Sequence, residues 1–219
     1  TETEPQGDAT LYGAKYELYN SGAKVASLTA LPDSRTVKSG VLPLGVYDII
    51  ETDTPNGYLP PESNSPATSV QIPYVDMYTP IVDSDGIVKS YVIKGIISIG
   101  KFSGHDLSGE LPDGVKLPLE NVAFTVALKS GSVIATTITT NADGKAATGL
   151  LPYGVYTITE TVGIEGFDVV APFECFVSVN NHEYWYYLQD NIVDRYLRVE
   201  KTDTETGNVI KYWMQISRF

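Results

Sequence analysis

Apolar and polar residues alternate with a period of two in many short stretches of this chain. Clear examples are Val155–Glu160, which reads Val-Tyr-Thr-Ile-Thr-Glu, and Tyr196–Lys201, which reads Tyr-Leu-Arg-Val-Glu-Lys. Such alternation is typical of half-buried β-strands, and a sustained helical period of 3.6 residues is hard to find. Turn residues separate these stretches at short intervals, and Val, Ile, Thr and Tyr are common. The pattern therefore predicts an all-β fold made of antiparallel β-sandwiches.

A long motif occurs twice and divides the chain into modules. Leu42–Thr52 reads Leu-Pro-Leu-Gly-Val-Tyr-Asp-Ile-Ile-Glu-Thr, and Leu151–Thr161 reads Leu-Pro-Tyr-Gly-Val-Tyr-Thr-Ile-Thr-Glu-Thr. Upstream of each copy, Gly13–Leu18 matches Asn121–Val126 at nearly the same offset. Repetition at a fixed spacing is the signature of tandem structural units.

A second pair of matching segments predicts where the modules begin. Gly95–Lys101 resembles Arg195–Lys201, and each is expected to be the opening strand of a module. Module one is therefore predicted at residues 1–94 without its first strand, and module two at residues 95–195. Residues 196–219 would be the opening strands of a truncated module three. The connections are short and lack Gly/Ser-rich or Pro-rich linkers, which favours a rod of limited hinge freedom.

Composition narrows the classes of function. The chain is 42% hydrophobic, which is ample for a packed core, and its net charge is −12. Nucleic-acid binding is disfavoured because phosphate contacts need Lys and Arg; acidity that merely keeps the protein soluble explains the charge. No apolar run approaches the roughly 20 residues that span a bilayer, and a signal peptide is absent. We expect a soluble fragment that does not insert into a membrane.

Residues for metal binding or nucleophilic catalysis are sparse. The single cysteine, Cys175, alternates in phase with Phe173 and Val177 and is expected to be a buried small hydrophobe. The two histidines, His105 and His182, are far apart in sequence and have no neighbouring ligand cluster. A zinc site or a Ser-His-Asp triad would need more than this. No metal and no cofactor are predicted, and the chain is interpreted as a non-enzyme.

Four charged residues occupy the apolar phase of predicted strands. Lys101 shares its phase with isoleucines and Lys201 with Leu and Val, while Glu160 and Glu51 each share theirs with Tyr and Ile. A surface charge should lie on the polar phase. Burial of an unpaired charge costs several kcal/mol, so these groups should be paired or neutralised.

The order of these motifs resembles the Cna B-type domain of Gram-positive adhesins and pilins. Leu-Pro-x-Gly-x-Tyr is followed by Ile-x-Glu-Thr and then by Gly57-Tyr58 or Gly166-Phe167, and Asn141–Lys145 matches the usual hairpin. The likeness covers nearly the whole chain. It implies prealbumin-like sandwiches in cell-wall-attached stalks outside the cell, with other modules of the same surface protein as partners.

Many members of that family form an intramolecular isopeptide bond, and the resemblance implies one in module two. The donor would be Lys101 in the first strand, and Glu160 would be the proton-shuttling acid. Asp190 lies where the family places its acceptor, with Asn191 as the alternative, since both faces of Tyr184–Leu188 are apolar and phase cannot decide between them. Burial would favour a neutral amine beside a protonated acid. The simpler alternatives are a buried salt bridge, or strand ends that curl into solvent.

The other modules depart from this pattern. In module one the acceptor position is Ser90, which has no carbonyl to attack, and the expected Lys would precede Thr1. Glu51 is then a relic or a hydrogen-bonding core residue, and we expect no cross-link there. Lys201 is a potential donor for module three, whose acceptor would lie beyond Phe219.

The sequence therefore favours a structural stalk or spacer. A rival hypothesis is a ligand-binding adhesin module for a glycan or host protein, because aromatics cluster at Tyr184–Tyr187 and Tyr212-Trp213. The alternative for these aromatics is that they fill the core or a junction between modules. A third hypothesis is an accessory module of a large secreted enzyme.

Overall fold

The computed structural model describes residues 6–30, 37–61, 68–72, 88–104, 116–131, 135–193, 201–202 and 209–210. Every regular element in these ranges is a β-strand, which confirms the predicted all-β class. None of the described residues forms a helix long and apolar enough to cross a membrane. The strands are β1 Lys15–Asn20, β2 Ala23–Thr29, β3 Gly45–Asp53, β4 Thr68–Ile72, β5 Lys94–Ser103, β6 Leu117–Pro118, β7 Ala123–Leu128, β8 Ala135–Thr139, β9 Lys145–Ala147, β10 Leu151–Pro152, β11 Gly154–Val162, β12 Phe173–Val177, β13 Glu183–Asp190, β14 Lys201–Thr202 and β15 Val209–Ile210.

Module one contains an antiparallel sheet in the order β2-β1-β3-β4. Alternation within β3 turns Tyr47 and Glu51 inward, and both are buried, while Val46 is exposed on the other face. Leu18 of β1 and Val70 of β4 are buried with them. The period-two pattern thus correctly predicted the inward face of β3.

Module two is a sandwich of two sheets. In one sheet β5 pairs with β13 and β10 and also with the short strands β6 and β9; the other sheet has the order β12-β11-β7-β8. The apolar core lies between the sheets and includes side chains from both. Its buried members are Ile97, Ile99, Leu119, Val122, Phe124, Val126, Leu128, Ile138, Ala146, Leu151, Tyr156, Ile158, Cys175 and Val177.

The first and last strands of module two, β5 and β13, run parallel to each other. Their register pairs Glu183 with Ile96 and continues to Asp190 opposite Ser103. All other strand pairs among the described residues are antiparallel, as the alternation predicted. Parallel pairing needs a long crossover between the strands, and here the rest of the module supplies it. The strands that open and close the module therefore lie side by side.

The repeated Leu-Pro-x-Gly-x-Tyr motif forms the same closed turn in both modules. The hydroxyl of Tyr47 donates to the carbonyl of Pro43, and that of Tyr156 donates to the carbonyl of Pro152, each at 2.8 Å. The tyrosine ring is buried while its hydroxyl is satisfied by the backbone, as a buried phenol requires. The motif requires glycine before its second variable position because space there is short. A Cβ on Gly154 would lie 2.6 Å from the Leu128 side chain.

The C-terminal ends of the two modules are also built alike. Tyr58 forms an isolated bridge with Val92 in module one, and Phe167 forms the same bridge with Ile192 in module two. This match places Ser90 of module one at the position of Asp190 in module two, as the sequence comparison predicted.

Of the residues predicted to open module three, the structure describes one strand pair, β14 with β15, in which Lys201 lies opposite Ile210. The aromatic pair Tyr212-Trp213 lies outside the described residues. The two predicted module boundaries, near residues 94 and 195, stay predictions.

Candidate functional site

Lys101 lies near the end of β5 with its side chain wholly inside module two. Its Nζ donates to Oε2 of Glu160 at 2.8 Å and also to Oδ1 of Asp190. The ring of Phe124 lies beneath the amine, with its centroid 5.7 Å from Nζ. An amine in this position has exchanged its water shell for two carboxyl groups and one aromatic face.

Glu160 reaches Lys101 from the opposite sheet. It belongs to β11, and its side chain has 0% exposure, as has that of Lys101. Oε2 accepts a second hydrogen bond, from the backbone N–H of Val170 at 3.0 Å. Oε1 is buried and has no hydrogen-bond partner within the described ranges. The hydrogen bonds to this carboxyl group are therefore all made through one of its oxygens.

Asp190 closes the group from the last strand of the module. It lies opposite Ser103, two residues beyond Lys101 on the same face of the sheet, so the long lysine side chain reaches it diagonally. Burial raises the pKa of Asp190 above its ordinary value, although the hydrogen bond and charge of Lys101 oppose that rise. Its Oδ2 is buried and lacks a partner among the residues described. At neutral pH the protonated form of this carboxyl group therefore costs less free energy than it would for an exposed aspartate.

Asn191, the alternative acceptor, lies outside this cluster. Its side chain is exposed, and its Oδ1 accepts a hydrogen bond from Gln189 at 3.3 Å. Its backbone N–H donates to Oδ1 of Asp168 at 2.7 Å. Strand alternation explains the difference, because neighbouring residues point to opposite faces. The geometry therefore favours Asp190.

The three side chains place the components of an amide condensation together in a dry interior. An amine nitrogen contacts a carboxyl oxygen of Asp190, and the second carboxyl group, that of Glu160, contacts the same nitrogen. Two carboxyl groups around one amine cannot all be charged without an excess of negative charge. A low-dielectric site disfavours that excess.

The corresponding residues of module one are arranged differently. Glu51 is buried with Oε1 unpartnered among the described residues, and burial raises its pKa. Tyr16 is half-buried, and burial together with the nearby Glu51 raises its pKa. Ser90 is half-buried and lines an open cavity of about 310 Å³ with Gln6 and Lys94. Lys201 lies on β14, and its side chain is outside the described part of the chain.

Cys175 is buried, as its phase predicted, and burial raises the pKa of its thiol although a hydrogen bond with Tyr186 opposes the rise. His182 is exposed and packs edge-on against Tyr184. His105 lies outside the described residues. No group of three metal-ligating side chains occurs in the ranges that the structure describes.

The aromatic residues of β13 divide between the two faces of the strand. Tyr184 and Tyr186 pack against the core, as the core-filling alternative predicted. Trp185 and Tyr187 are 41% and 71% exposed and stack on each other with centroids 5.8 Å apart. The core-filling interpretation is thus wrong for these two residues.

Sequence reasoning missed three contributors to the site. Phe124 and the backbone N–H of Val170 contact the cluster, but a ring at a core position and a loop amide carry no signal in the sequence. Gly144 supports the backbone of Lys101 by accepting its N–H at 2.7 Å. The Asn-Ala-Asp-Gly-Lys hairpin that contains Gly144 was recognised, and its close approach to Lys101 was not.

Comparisons with known proteins agree with this architecture. Residues 113–191 match the family model of the SpaA prealbumin-like fold domain. No curated protein sequence matches the chain significantly. Among solved structures, the Bacillus anthracis TIE protein is similar at 25% identity and a TM-score of 0.60, over 84% of this chain and 32% of that one. This chain therefore spans about a third of the length of that structure.

Two pilins are more distant. The full-length major pilin SpaD from Corynebacterium diphtheriae is 20% identical with a TM-score of 0.37, over 45% of this chain and 32% of that one. The minor pilin GBS52 from Streptococcus agalactiae is 13% identical with a TM-score of 0.40, over 91% of each chain. The family model matches residues 113–191, so this part of the chain is similar to the prealbumin-like fold domains, in agreement with the resemblance to Cna B-type domains.

Proposed function

We propose that this chain is a structural stalk or spacer segment of a bacterial surface protein, and that module two cross-links itself through Lys101 and Asp190. The stalk role is supported by consecutive all-β modules joined without a flexible linker and by the prealbumin-like match. Residues 1–94, 95–195 and 196–219 are its modules, and the chain acts outside the cell beside other modules of the same protein. No substrate and no cofactor take part.

The cross-link is supported by one observation: the amine of Lys101 lies between the carboxyl groups of Asp190 and Glu160 inside the sandwich. The neutral amine attacks Cγ of Asp190, whose carboxyl group is protonated, and a C–N bond forms. Glu160 accepts a proton from the nitrogen and returns one to the Asp190 oxygen that leaves. One C–O bond breaks, one water departs, and Glu160 ends in the protonation state in which it began.

The product suits a stalk. The new amide joins the first and last strands of module two, which lie side by side and are the strands by which a pull enters and leaves the module. Tension then passes through covalent bonds and bypasses the hydrogen-bonded core. Closing the module also limits the freedom of its unfolded chain, on the logic that applies to disulfides.

Intact mass spectrometry of the denatured chain tests the cross-link. We expect the measured mass of the wild type to be one water below the mass calculated from its sequence. The masses of Lys101→Ala and Glu160→Ala should equal those calculated from their own sequences. Lys129→Ala, which removes an exposed lysine paired with Glu174, is the matched control and should keep the loss. A wild-type mass equal to that of the sequence would refute the bond, and the stalk role would then depend on the fold alone.

A second candidate function is ligand binding on the outer face of module two. It is favoured by the exposed, stacked pair Trp185 and Tyr187, because exposed aromatics stack on sugars or form interface hot spots. A glycan array or a cell-binding assay with the whole chain tests it. Saturable binding that Trp185→Ala removes would support an adhesin module, and absence of binding would support the spacer.

A further inference from the structure

A short segment of module one, Gly7–Ala9, lies against the Leu-Pro-Tyr-Gly turn of module two. The backbone N–H of Asp8 donates to the carbonyl of Tyr153 at 2.8 Å, and the N–H of Val155 donates to Oδ2 of Asp8 at 3.3 Å. A Cβ on Gly7 would lie 2.1 Å from the carbonyl oxygen of Tyr153, and the φ of Gly7 is +63°. Glycine is therefore required for this approach of two backbones.

Tyr153 is surrounded by module one. Its backbone N–H donates to the carbonyl of Ile93 at 2.8 Å, and its hydroxyl donates to Oδ1 of Asn56 at 3.0 Å. Its ring packs on Gly57 so closely that a Cβ there would lie 2.7 Å from Cδ1 of the tyrosine. On the module-two side the ring meets Phe176 edge to face at 5.2 Å. Through its backbone and its side chain, this one residue thus contacts Asp8, the Asn56-Gly57 turn and Ile93 of the connection.

The covalent connection between the modules is held as well. Val92 forms the last bridge of module one and Lys94 opens β5, so Ile93 alone lies between them. Lys94 donates its N–H to Oδ1 of Asn180 at 3.1 Å and accepts from the N–H of Asn181 at 2.7 Å. A hinge needs a few residues whose φ and ψ change freely, and here the neighbouring hydrogen bonds prevent such a change.

We propose that Tyr153 and Asp8 lock modules one and two into one rigid body with a fixed angle between them. Consecutive domains are expected to move relative to each other unless their interface prevents it. At this junction rotation would break the Asp8, Val155 and Tyr153 hydrogen bonds together and separate the packed backbones at Gly7 and Gly57. The lock is independent of the cross-link, because Lys101 lies roughly 20 Å further along β5.

NMR relaxation of the ¹⁵N-labelled 219-residue chain tests the lock. In the wild type we expect one rotational correlation time for amides of both modules. In Asp8→Ala/Tyr153→Ala the modules should tumble separately, with correlation times that are shorter than in the wild type and different for each module. Tyr187→Ala, which removes an exposed tyrosine of module two on β13, is the matched control and should behave as the wild type.

A second variant guards against misfolding of the first. Gly7→Ala leaves module two unchanged and inserts a methyl group between the backbones, so it should separate the correlation times as the double variant does. Preserved amide chemical shifts in the core of module two identify a folded variant. Wild-type modules that tumble independently would overturn the proposal, and so would folded variants of both kinds that tumble as the wild type. Neither result depends on whether the mass shows a loss of water, so this test is separate from that of the cross-link.

Discussion

Lys101 and Glu160 belong to opposite sheets of module two, and Nζ of the one lies 2.8 Å from Oε2 of the other in the interior between them. With Asp190 they form a buried group of one amine and two carboxyl groups. Buried ion pairs often contribute little net stability, because desolvation offsets their attraction. Condensation of Lys101 with Asp190 would remove two charges and leave an uncharged amide, which removes much of the desolvation cost.

Loss of the proton shuttle is expected to lower the stability of module two. Glu160→Gln keeps the size of the side chain and cannot transfer the proton, so the cross-link should not form. Lys101 and Asp190 are 89 positions apart. Closing a chain segment of that size is worth about 4.6 kcal/mol in the entropic model. Denaturant unfolding followed by the near-ultraviolet signal of the whole chain measures the difference.

The matched control for that variant is Glu174→Gln. Glu174 lies on the neighbouring strand β12 and forms an exposed ion pair with Lys129. An exposed pair contributes little to stability, so this variant should unfold at nearly the wild-type denaturant concentration. Equal stability of Glu160→Gln and the wild type would contradict the prediction.

Replacement of the acceptor should change the leaving group. Asp190→Asn presents an amide carbonyl at the same place, so the cross-link should release ammonia in place of water. Asn191→Ala should still lose water, because Asn191 is exposed and bonded to Gln189 outside the cluster. High-resolution intact mass spectrometry distinguishes the two losses. Loss of ammonia from the wild type, together with no loss from Asn191→Ala, would move the acceptor to Asn191.

Gly144→Ala is expected to disturb Lys101 through its backbone. The added Cβ would lie 2.4 Å from the carbonyl oxygen of Lys101, in a residue whose φ is +70°. Gly131→Ala is a matched control, because the φ of Gly131 is +80° and nothing lies within 4 Å of the added Cβ. In the control, the only destabilisation is the strain of an alanine at a positive φ, about 1 kcal/mol. Gly144→Ala should cost clearly more in denaturant unfolding and should slow cross-linking in a time course of the mass.

The stability of module one should fall as pH rises through the raised pKa of Glu51. Burial raises that pKa, so the folded module binds the proton more tightly than the unfolded chain. The stabilisation is complete below the ordinary pKa of a glutamate and is lost as pH rises through the folded value. Hydrogen exchange of β3 amides at about pH 4 and about pH 7 measures it.

Glu51→Gln should remove this pH dependence, because glutamine has no proton to lose. Glu17→Gln is the control. Hydrogen bonds from Lys24 and Tyr19 lower the pKa of Glu17, so this carboxyl group does not cause stability to fall as pH rises. The Glu17→Gln variant should therefore keep the pH dependence of the wild type. A slope that Glu51→Gln leaves unchanged would assign the pH dependence to another group.

The period-two pattern and the repeat were sufficient to predict the all-β fold and the burial of Lys101, Glu160 and Glu51. These features are local, because strand alternation assigns each side chain to a face. The same alternation placed Asp190 and Asn191 on opposite faces. It could not say which of those faces was inside, since both faces of β13 carry aromatic residues.

The partners across the interior were decided by the tertiary structure. Alternation identifies the face of a strand and leaves open which distant strand lies opposite, and that depends on the packing of the two sheets. Packing set Asp190 rather than Asn191 beside the amine, turned Trp185 and Tyr187 outward, made β5 and β13 parallel neighbours, and seated Tyr153 against module one. Each of these relationships joins residues far apart in sequence, and so no local pattern could specify it.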